Sequence, residues 1–429
     1  MGNGGGKPSR KNVAVIGAGI VGVACAVWLQ RAGHRVTVFD PRGPAGAASH
    51  GNAGVLAAAS IVPVTVPGLW RKAPRLLLDP REPLYLRLGY LPRLLPFLRR
   101  YMAHARPAAV ERIADALSLL LHDTVDQHRA LSEGTGAERY VDEGDYVFGY
   151  RDRTAFEADA FAWNHRAARG HAFEPLEADA LAAYDPALTG RFGYGVRCPH
   201  HGRISDPGAY VRALARHVER KGGRFVTADI LDVTTENERA TGVATMDGVF
   251  ETDAVVLAAG VWSARLAKRL GVTVPMEAER GYHVEFVDPS ITPRSPTMVA
   301  AGKFVLTPMD GRLRAAGIVE FGGLGDDRSK APFRLLSKQT KAVLPGLRYS
   351  HTREWMGHRP STADSLPVIG RTGPANVFSA FGHQHVGLTG APKTGRWIAE
   401  LVSGRAPNAD LAPFDPLRFD IRKPPGRTS

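Results

Sequence analysis

Val-Ala-Val-Ile-Gly-Ala-Gly-Ile-Val-Gly, at residues 13–22, decides the fold of this 429-residue chain. Its four leading apolar residues are typical of a buried parallel strand, and the apolar periodicity from Ile20 to Leu29 predicts a helix. Gly17 permits a tight turn, Gly19 lets the backbone approach a pyrophosphate, and Gly22 lets the helix pack close to the strand. The segment therefore predicts a dinucleotide site with its phosphates on the free N–H groups of the helix N-terminus.

The following residues complete this pattern. Gly33 ends the predicted helix, residues 35–39 (Arg-Val-Thr-Val-Phe) predict a second strand, and Asp40 follows it. An acid at this distance is expected to bind ribose hydroxyls. A glycine-rich turn alone is weak evidence, because such turns are common. Strand, turn, helix, strand and acid in this order favour a nucleotide site over a structural turn.

Composition limits the class of protein. The length suits two domains, and 44% apolar with 23% charged residues is ordinary for a globular protein. The net charge of +13 fits a solvated basic surface, an anionic membrane surface or an acidic partner. No nucleic-acid-binding module is recognisable, so we expect no nucleic-acid partner.

Two cysteines, Cys25 and Cys198, rule out a disulfide framework and offer no metal-ligand spacing, so we expect no metal site and a reducing compartment. No apolar run is long enough to span a membrane, and residues 1–12 lack the apolar run of a signal peptide. We therefore expect a cytoplasmic protein, with peripheral contact to the inner membrane as an open alternative.

The α/β pattern stops after the second strand and returns much later. Residues 205–207 (Ser-Asp-Pro) predict a helix start, and residues 254–260 predict another buried strand. Residues 377–381 predict a further strand, followed by a glycine loop at 382–389 and a helix at 391–402. The nucleotide domain is therefore predicted to be discontinuous in sequence.

The remaining segments predict a second domain of α+β type. Residues 277–287, 304–309 and 313–320 predict an antiparallel sheet, and residues 109–131 predict a long helix. The predicted division gives the nucleotide domain residues 11–75, 201–275 and 353–405, the second domain residues 76–200 and 276–352, and tails to residues 1–10 and 406–429.

The stretch at residues 84–106 is rich in leucine and arginine at near-helical spacing. One interpretation is a basic amphipathic segment that lies on a membrane. The other, which we favour, is a core-facing helix pair, since isolated amphipathic patterns usually belong to cores. Pro92 and Pro96 are expected to break any long helix here.

Four motifs together resemble the flavin-dependent D-amino-acid oxidase superfamily and, within it, the bacterial D-amino-acid dehydrogenases. The resemblance covers residues 11–405. The motifs are residues 15–22, Ser49-x-x-Asn52-Ala53-Gly54, Thr307-Pro308-Met309-Asp310-Gly311 with Leu313-Arg314-x-x-Gly317-x-x-Glu320, and Gly382-His383-x-His385-Val386-Gly387-Leu388-Thr389.

The resemblance implies a Rossmann-like FAD-binding domain and a second, substrate-binding domain. Asp40 is a mild departure, because the family often has Glu there. The resemblance also favours non-covalent FAD: the C-terminal cysteine that links flavin in related sarcosine oxidases is missing, although His50 falls near the linking histidine of related dimethylglycine dehydrogenases. Either Ile230 or Leu231 would cover the adenine. The residues expected to bind FAD are Gly17, Gly19, Ile20, Val21, Gly22, Asp40, Ser49, Asn52, Ala53, Gly54, Ile230, Leu231, Ala259, Gly260, Gly382, His383, Val386, Gly387, Leu388 and Thr389.

Candidate substrate-binding residues follow from the same resemblance. Arg359, in the segment Gly-His-Arg-Pro, is similar to the carboxylate-binding arginine of related glycine oxidases, and a guanidinium fits a carboxylate well. Tyr282 could add a hydroxyl to the same carboxylate, or be a sheet tyrosine. His50, His383 and His385 could line the flavin, or be structural.

The implied reaction is dehydrogenation of a D-amino acid, or of a cyclic imino acid such as D-proline or hydroxyproline, with hydride transfer from Cα to flavin N5. Because dehydrogenases of this family pass electrons to a quinone, the resemblance makes a membrane quinone one candidate electron acceptor, and the sequence leaves the choice between quinone, oxygen and another carrier open. Two alternatives stay open: an oxidase of the glycine or sarcosine type that produces hydrogen peroxide, and a flavin-binding subunit that is inactive alone.

Overall fold

The computed structural model describes residues 10–68 and 83–420. The strands run in chain order as β1 (Asn12–Ile16), β2 (Arg35–Phe39), β3 (Val55–Leu56), β4 (Leu84–Leu86), β5 (Val141–Tyr150), β6 (Glu174–Glu177), β7 (Tyr194–Ile204), β8 (Arg224–Val226), β9 (Asp232–Glu236), β10 (Arg239–Thr245), β11 (Gly248–Glu251), β12 (Ala254–Leu257), β13 (Met276–Val287), β14 (Thr297–Val299), β15 (Phe304–Met309), β16 (Arg312–Phe321), β17 (His351–Thr362), β18 (Val368–Arg371) and β19 (Val377–Phe381). The α-helices are α1 (Ile20–Arg31), α2 (Leu91–Ala103), α3 (Pro107–Leu121), α4 (Thr124–Ser132), α5 (Arg153–Glu157), α6 (Ala160–Ala168), α7 (Ala178–Tyr184), α8 (Pro207–Arg220), α9 (Ser263–Arg269), α10 (Lys330–Val343) and α11 (Gly387–Val402).

A six-stranded sheet, ordered β18-β19-β12-β1-β2-β8, carries the predicted Rossmann-like pattern. All its pairings are parallel except β18 with β19. Its central strand β1 pairs Val13 with Ala254 of β12 and with Val36 of β2. Since the strands come from three distant parts of the chain, the prediction of a discontinuous α/β sheet is confirmed.

Helices and a small sheet cover the two faces of this parallel sheet. On one face, α1, α8 and α11 bury apolar side chains together with the sheet, Trp397 of α11 being 1% exposed. On the other face lies the three-stranded antiparallel sheet β11-β10-β9, through Val233 and Val243. The carboxyl ends of β1, β2 and β12 therefore open onto one edge, where α/β folds bind nucleotides.

The second sheet has the order β17-β13-β16-β15-β14-β5-β7-β3, with β4 beside β16 and β6 beside β7. Its pairings are antiparallel except β14 with β5 and β16 with β4. Helix α10 packs on one face of β13 and β16, where Phe333 meets Tyr282. The predicted antiparallel sheet of a second, α+β unit is thus confirmed.

The predicted segment boundaries at 200/201 and 352/353 fall inside β7 and β17, which both belong to the larger sheet. The predicted helix at 109–131 is two helices, α3 and α4, which part at His122 and Asp123. Both also pack with α11 in the core of the parallel sheet, and α4 contacts β5 and β7 of the second sheet as well. Apolar periodicity continues across the break, so it gave no sign of it.

The C-terminal part, predicted as a tail, is ordered through residue 420. Two short 3-10 helices, Ala412–Phe414 and Pro416–Phe419, follow α11. Phe414 is fully buried against Trp397, and Arg418 forms an ion pair with Asp364 at 2.6 Å. Such short turns have no periodicity to reveal them. The tail predicted at the N-terminus lies, except for its last residue, outside the described residues.

Helix α2 lies within the leucine- and arginine-rich stretch. The expectation that Pro96 breaks a helix here is wrong, since Pro96 lies inside α2, whereas Pro92 stands in the first turn, where the helix begins. One side of α2 is buried through Leu94, Phe97 and Tyr101, as the core interpretation predicted. Within the described residues, no helix is long and apolar enough to cross a membrane.

Candidate active site

The turn between β1 and α1 admits only glycine at two positions. Gly17 has φ +111°, and a Cβ there would lie 2.4 Å from the carbonyl oxygen of Ala258. A Cβ on Gly22 would lie 1.9 Å from the carbonyl oxygen of Gly17. The first requirement is conformational and steric, and the second lets the helix pack against the turn. The N-terminus of α1 is thus held at the carboxyl end of β1.

Two side chains fix this turn. Asp40 accepts hydrogen bonds from the N–H groups of Ala18 and Arg42, each at 2.8 Å, one on each carboxylate oxygen. Ser49 Oγ accepts one from Ile20 N–H, also at 2.8 Å. Each oxygen of Asp40 keeps a further lone pair, so the carboxylate can still accept a ribose hydroxyl. Asp40 therefore closes the turn and lines the cavity beside it.

A large open cavity runs along this edge of the parallel sheet and into the region where the two sheets meet. Fourteen residues predicted to bind FAD line it: Gly17, Gly19, Ile20, Val21, Asp40, Ser49, Asn52, Ile230, Ala259, Gly260, Gly382, His383, Gly387 and Leu388. Gly22, Ala53, Gly54, Val386 and Thr389 stand beside it rather than in its wall. Leu231 is 40% exposed and does not line it, whereas Ile230 does.

The cavity also contains residues that sequence reasoning missed. The guanidinium of Arg42 lies over the ring of Trp262, 5.2 Å from its centroid, and Arg265 and His358 lie in the same wall. Trp262 follows the small residues that end β12, a position that could have suggested it. No such signal points to His358, because it lies on β17 of the other sheet. Two arginines suit a ligand that carries a pyrophosphate.

A second helix N-terminus points into this region. Helix α11 begins at Gly387, earlier than the predicted residue 391. The first-turn N–H groups, including those of Gly387, Leu388 and Thr389, have no partner inside the helix. They favour negative charge, as does the helix dipole. The N-termini of α1 and α11, with the glycine-rich turns that precede them, fit a dinucleotide with an electron-accepting ring. The residues present therefore fit FAD.

The predicted histidines have different surroundings. His383 is buried and donates from Nε2 to Thr394 Oγ1 at 3.0 Å, since that hydroxyl already donates to the carbonyl of Gly390. His385 does not line the cavity, and the surrounding protein, aided by Arg359, lowers its pKa to about 4. His50 lies near the start of α8, with Nδ1 placed 2.7 Å from where a Cβ on Gly208 would stand. All three can be neutral at pH 7, because burial lowers each pKa.

Two buried groups hold the loop at residues 50–52 against the larger sheet. Arg314, 1% exposed, donates to the carbonyl oxygens of His50 and Asn52 and forms an ion pair with Glu285 at 2.6 Å. His283 donates from Nδ1 to the carbonyl of Gly51 at 3.0 Å and stacks on Trp355, with ring centroids 5.2 Å apart. The sheet face that carries His283 therefore faces the loop at residues 50–52.

Arg359 lies on this same face. It stands opposite Glu279 in the β13–β17 ladder; its chain neighbours His358 and Pro360 line the cavity, and Arg359 itself stands beside it. Its guanidinium packs on Gly281, where a Cβ would be 2.6 Å from Cζ. Among the described residues, it forms no hydrogen bond or ion pair. Burial lowers the pKa of Arg359, and Glu279 opposes that shift.

The structure does not bring Tyr282 to this site, so the expectation that it shares a carboxylate with Arg359 is wrong. Successive strand residues point to opposite faces, and Tyr282 lies on the α10 side. It is 1% exposed, packs on Phe333 and donates to Glu320 Oε2 at 3.2 Å. Tyr282 is a sheet tyrosine with a satisfied hydroxyl.

The fold and the cavity define a class of flavin enzymes, and comparison with known proteins agrees. The family described as FAD dependent oxidoreductase (DAO) matches residues 12–401, and the chain belongs to it.

A D-amino-acid oxidase of Bradyrhizobium diazoefficiens is 40% identical over 420 residues, covering 96% of this chain and 100% of the relative. A D-amino acid dehydrogenase of Allorhizobium ampelinum is 31% identical over 93% of this chain and 97% of its own. The oxidase thus has the higher identity, although the motifs resembled the dehydrogenases. The structure of glycine oxidase from Geobacillus kaustophilus superposes with a TM-score of 0.74 at 23% identity, covering 96% of this chain and 99% of that one.

Proposed function

We propose that this protein oxidises a D-amino acid, or a cyclic imino acid of the D-proline type, with non-covalent FAD. The observation that carries the proposal is the unpartnered guanidinium of Arg359 beside the cofactor cavity. Arg359 is half-buried with protein around its guanidinium, and a substrate carboxylate would supply the missing partner with two parallel hydrogen bonds. Both curated relatives described above are named for action on D-amino acids.

The chain's own residues bind and orient the substrate. Bound FAD supplies the acceptor for the hydride that leaves the substrate α-carbon. Arg359 would hold the carboxylate, which fixes the position of the α-carbon. The amine must be neutral for hydride loss, and the resulting imino acid is hydrolysed by water to a keto acid and ammonia, or an amine. The first-turn N–H groups of α11 would hold negative charge on the cofactor's ring.

Two electron acceptors follow from different observations. A membrane quinone, which would make the protein a dehydrogenase, is supported by the surface of α2 and its flank: Leu88 is 79% and Leu95 54% exposed beside the exposed Arg93, Arg99 and Arg100. Such a surface suits peripheral binding to an anionic bilayer from the cytoplasmic side. Dioxygen, which would make it an oxidase, is supported by the more similar relative, named an oxidase.

A substrate screen tests the proposal and separates these acceptors. Purified protein is incubated with a panel of D-amino acids, their L-enantiomers, D-proline, glycine and sarcosine, with a dye as acceptor. We expect turnover of D-amino acids over their L-enantiomers. The same reactions without dye, in air, report hydrogen peroxide. Stoichiometric peroxide at an undiminished rate would identify an oxidase, and a rate that needs the dye would identify a dehydrogenase. Absence of turnover with every compound would contradict the proposed function.

A further inference from the structure

Three carboxylates on β13 share the face that carries the proposed substrate site. Glu285 is bound by Arg314 at 2.6 Å and by Arg312 at 2.8 Å. Glu277 accepts from the hydroxyl of Tyr90 at 2.9 Å. Glu279, between them, forms no ion pair within the described part of the chain. Like Glu277, it has no cation in direct contact, but it is the one of the three that stands opposite Arg359.

Glu279 and Arg359 stand opposite each other but do not neutralise each other by contact. The guanidinium leans along the strand onto Gly281, two residues from Glu279. Since Gly281 has no side chain, it leaves room for the arginine head there. An anionic and a cationic group thus occupy neighbouring, partly exposed positions on this face of the sheet.

Protein surrounds Glu279 closely. Burial raises the pKa of Glu279, while Arg359 and the hydroxyl of Ser361 oppose the rise and Glu277 adds to it. Tyr101 of α2 also lies close enough to interact electrostatically with the carboxylate of Glu279. On the side of Arg359 away from Gly281, the electrostatic potential is therefore dominated by the carboxylates of Glu277 and Glu279. An acidic group of a ligand would be repelled there, and a cationic group of a ligand would form an ion pair with Glu279.

We infer that Glu279 is a specificity residue that binds a positively charged side chain of the substrate, so that basic D-amino acids such as D-lysine are preferred. This inference rests on the proposed function, with the substrate carboxylate on Arg359. The α-ammonium is a poorer occupant, because a carboxylate beside it would keep it protonated, whereas hydride loss needs the neutral amine. A side-chain ammonium stays charged throughout the reaction.

Matched substrates test this without changing size. D-norleucine has the carbon skeleton of D-lysine and lacks the terminal ammonium. We expect wild-type kcat/KM for D-lysine to exceed that for D-norleucine on the order of tenfold to a hundredfold. In Glu279→Gln the two values should become equal within about threefold, and their ratio cancels any effect of the substitution on Arg359 that both substrates share. Glu354→Gln, an exposed glutamate on the opposite face of β17, is the control and should keep the wild-type preference.

A binding measurement makes the inference independent of turnover. 6-Aminohexanoate has the carboxylate and terminal ammonium of lysine but no α-amine, so it cannot be oxidised in this way, and hexanoate lacks both amines. By calorimetry on the FAD-loaded protein, 6-aminohexanoate should bind at least about tenfold more tightly than hexanoate, and Glu279→Gln should remove the difference. If Glu279→Gln fails to fold, Glu279→Asp, which keeps the charge, should retain a preference for the cation.

The outcomes separate the inference from the proposed function. Turnover of D-norleucine as efficient as that of D-lysine, or a lysine preference that survives in Glu279→Gln, overturns the role of Glu279 and leaves D-amino-acid oxidation intact. Turnover of no D-amino acid contradicts the proposed function. Equal binding of 6-aminohexanoate and hexanoate overturns the two-charge site itself.

Discussion

The guanidinium of Arg359 packs on the bare backbone of Gly281, so closely that a Cβ at residue 281 would stand 2.6 Å from Cζ. This contact holds the arginine head beside the FAD cavity without spending any of its N–H donors on protein acceptors in the described residues. Arg359 is therefore positioned by shape, and its donors stay available for a ligand.

Replacing Arg359 with alanine should lower kcat/KM for amino acids about thirty- to a thousandfold, mainly through KM, because one charge-assisted bidentate pair contributes about 2–4 kcal/mol. FAD should stay bound, which the flavin absorbance of the purified variant reports. Arg353→Ala, at an exposed position of the same strand, is the control and should behave like wild type. A loss below threefold in Arg359→Ala would reject this assignment.

Gly17→Ala should abolish FAD binding, because the new methyl group would lie 2.4 Å from the carbonyl oxygen of Ala258 and the turn would have to open. Gly33→Ala is a matched control: its φ is +93°, but nothing lies within 4 Å of an added Cβ. That variant should lose about 1 kcal/mol of stability from backbone strain and keep its flavin. Equal flavin content in the two variants would contradict a role of Gly17 in the cradle.

The flavin should leave the chain when the protein is denatured in acid, giving a colourless pellet and a yellow supernatant. The reason is that His50, the candidate attachment residue, lies against the start of α8 beside Gly208. His50→Ala should then change neither the released fraction nor the flavin content by more than a small amount. Flavin that stays on the wild-type chain but not on His50→Ala would show covalent attachment at this residue.

Glu320→Ala should destabilise the fold by about 3–5 kcal/mol in urea unfolding, because it removes the buried carboxylate of Arg280 and leaves that arginine only the exposed one of Asp327. Glu320, 2% exposed, binds Arg280 at 3.0 Å and Arg87 at 2.6 Å. Asp327 binds the same two arginines but is 67% exposed, so Asp327→Ala should destabilise the fold far less than Glu320→Ala. Similar losses in the two variants would show that burial does not decide the contribution.

Local sequence patterns were enough to predict the part of the cofactor site that β1, the glycine turn and Asp40 form. The apolar strand, the glycine turn and Asp40 lie within thirty residues of one another, and the strand at Arg35–Phe39 has the predicted bounds. Arg359 was reachable through a short motif. Its partner across the ladder was not, because the register between β13 and β17 joins residues about eighty positions apart and depends on how the whole sheet assembles.

The face of a side chain was the other point that sequence reasoning missed. Strand alternation sets Tyr282 on the side opposite Gly281 and His283, but the sequence does not say which side faces the cofactor. Helix α10 decides it by covering the Tyr282 side through Phe333. His283 and Trp355, which stack on each other beneath the loop at residues 50–52, were missed for the same reason.

The surface of α2 gives the last prediction. Leu88 and Leu95 are exposed beside Arg93, Arg99 and Arg100, while the opposite side of the helix is buried. Each basic residue near an anionic bilayer contributes about 1 kcal/mol at most, and salt screens it. The protein should therefore sediment with anionic vesicles at low salt and be released near physiological salt.

Replacing Arg99 and Arg100 with glutamate should weaken this sedimentation strongly and leave dye-linked turnover unchanged. The control replaces Arg334 and Lys338, two exposed cations of α10, with glutamate, which gives the same change in net charge at a different surface. If the two double variants lose binding equally, overall charge rather than α2 attracts the protein to the bilayer. If wild type never sediments even at low salt, α2 is no membrane surface, and the electron acceptor must be sought in solution.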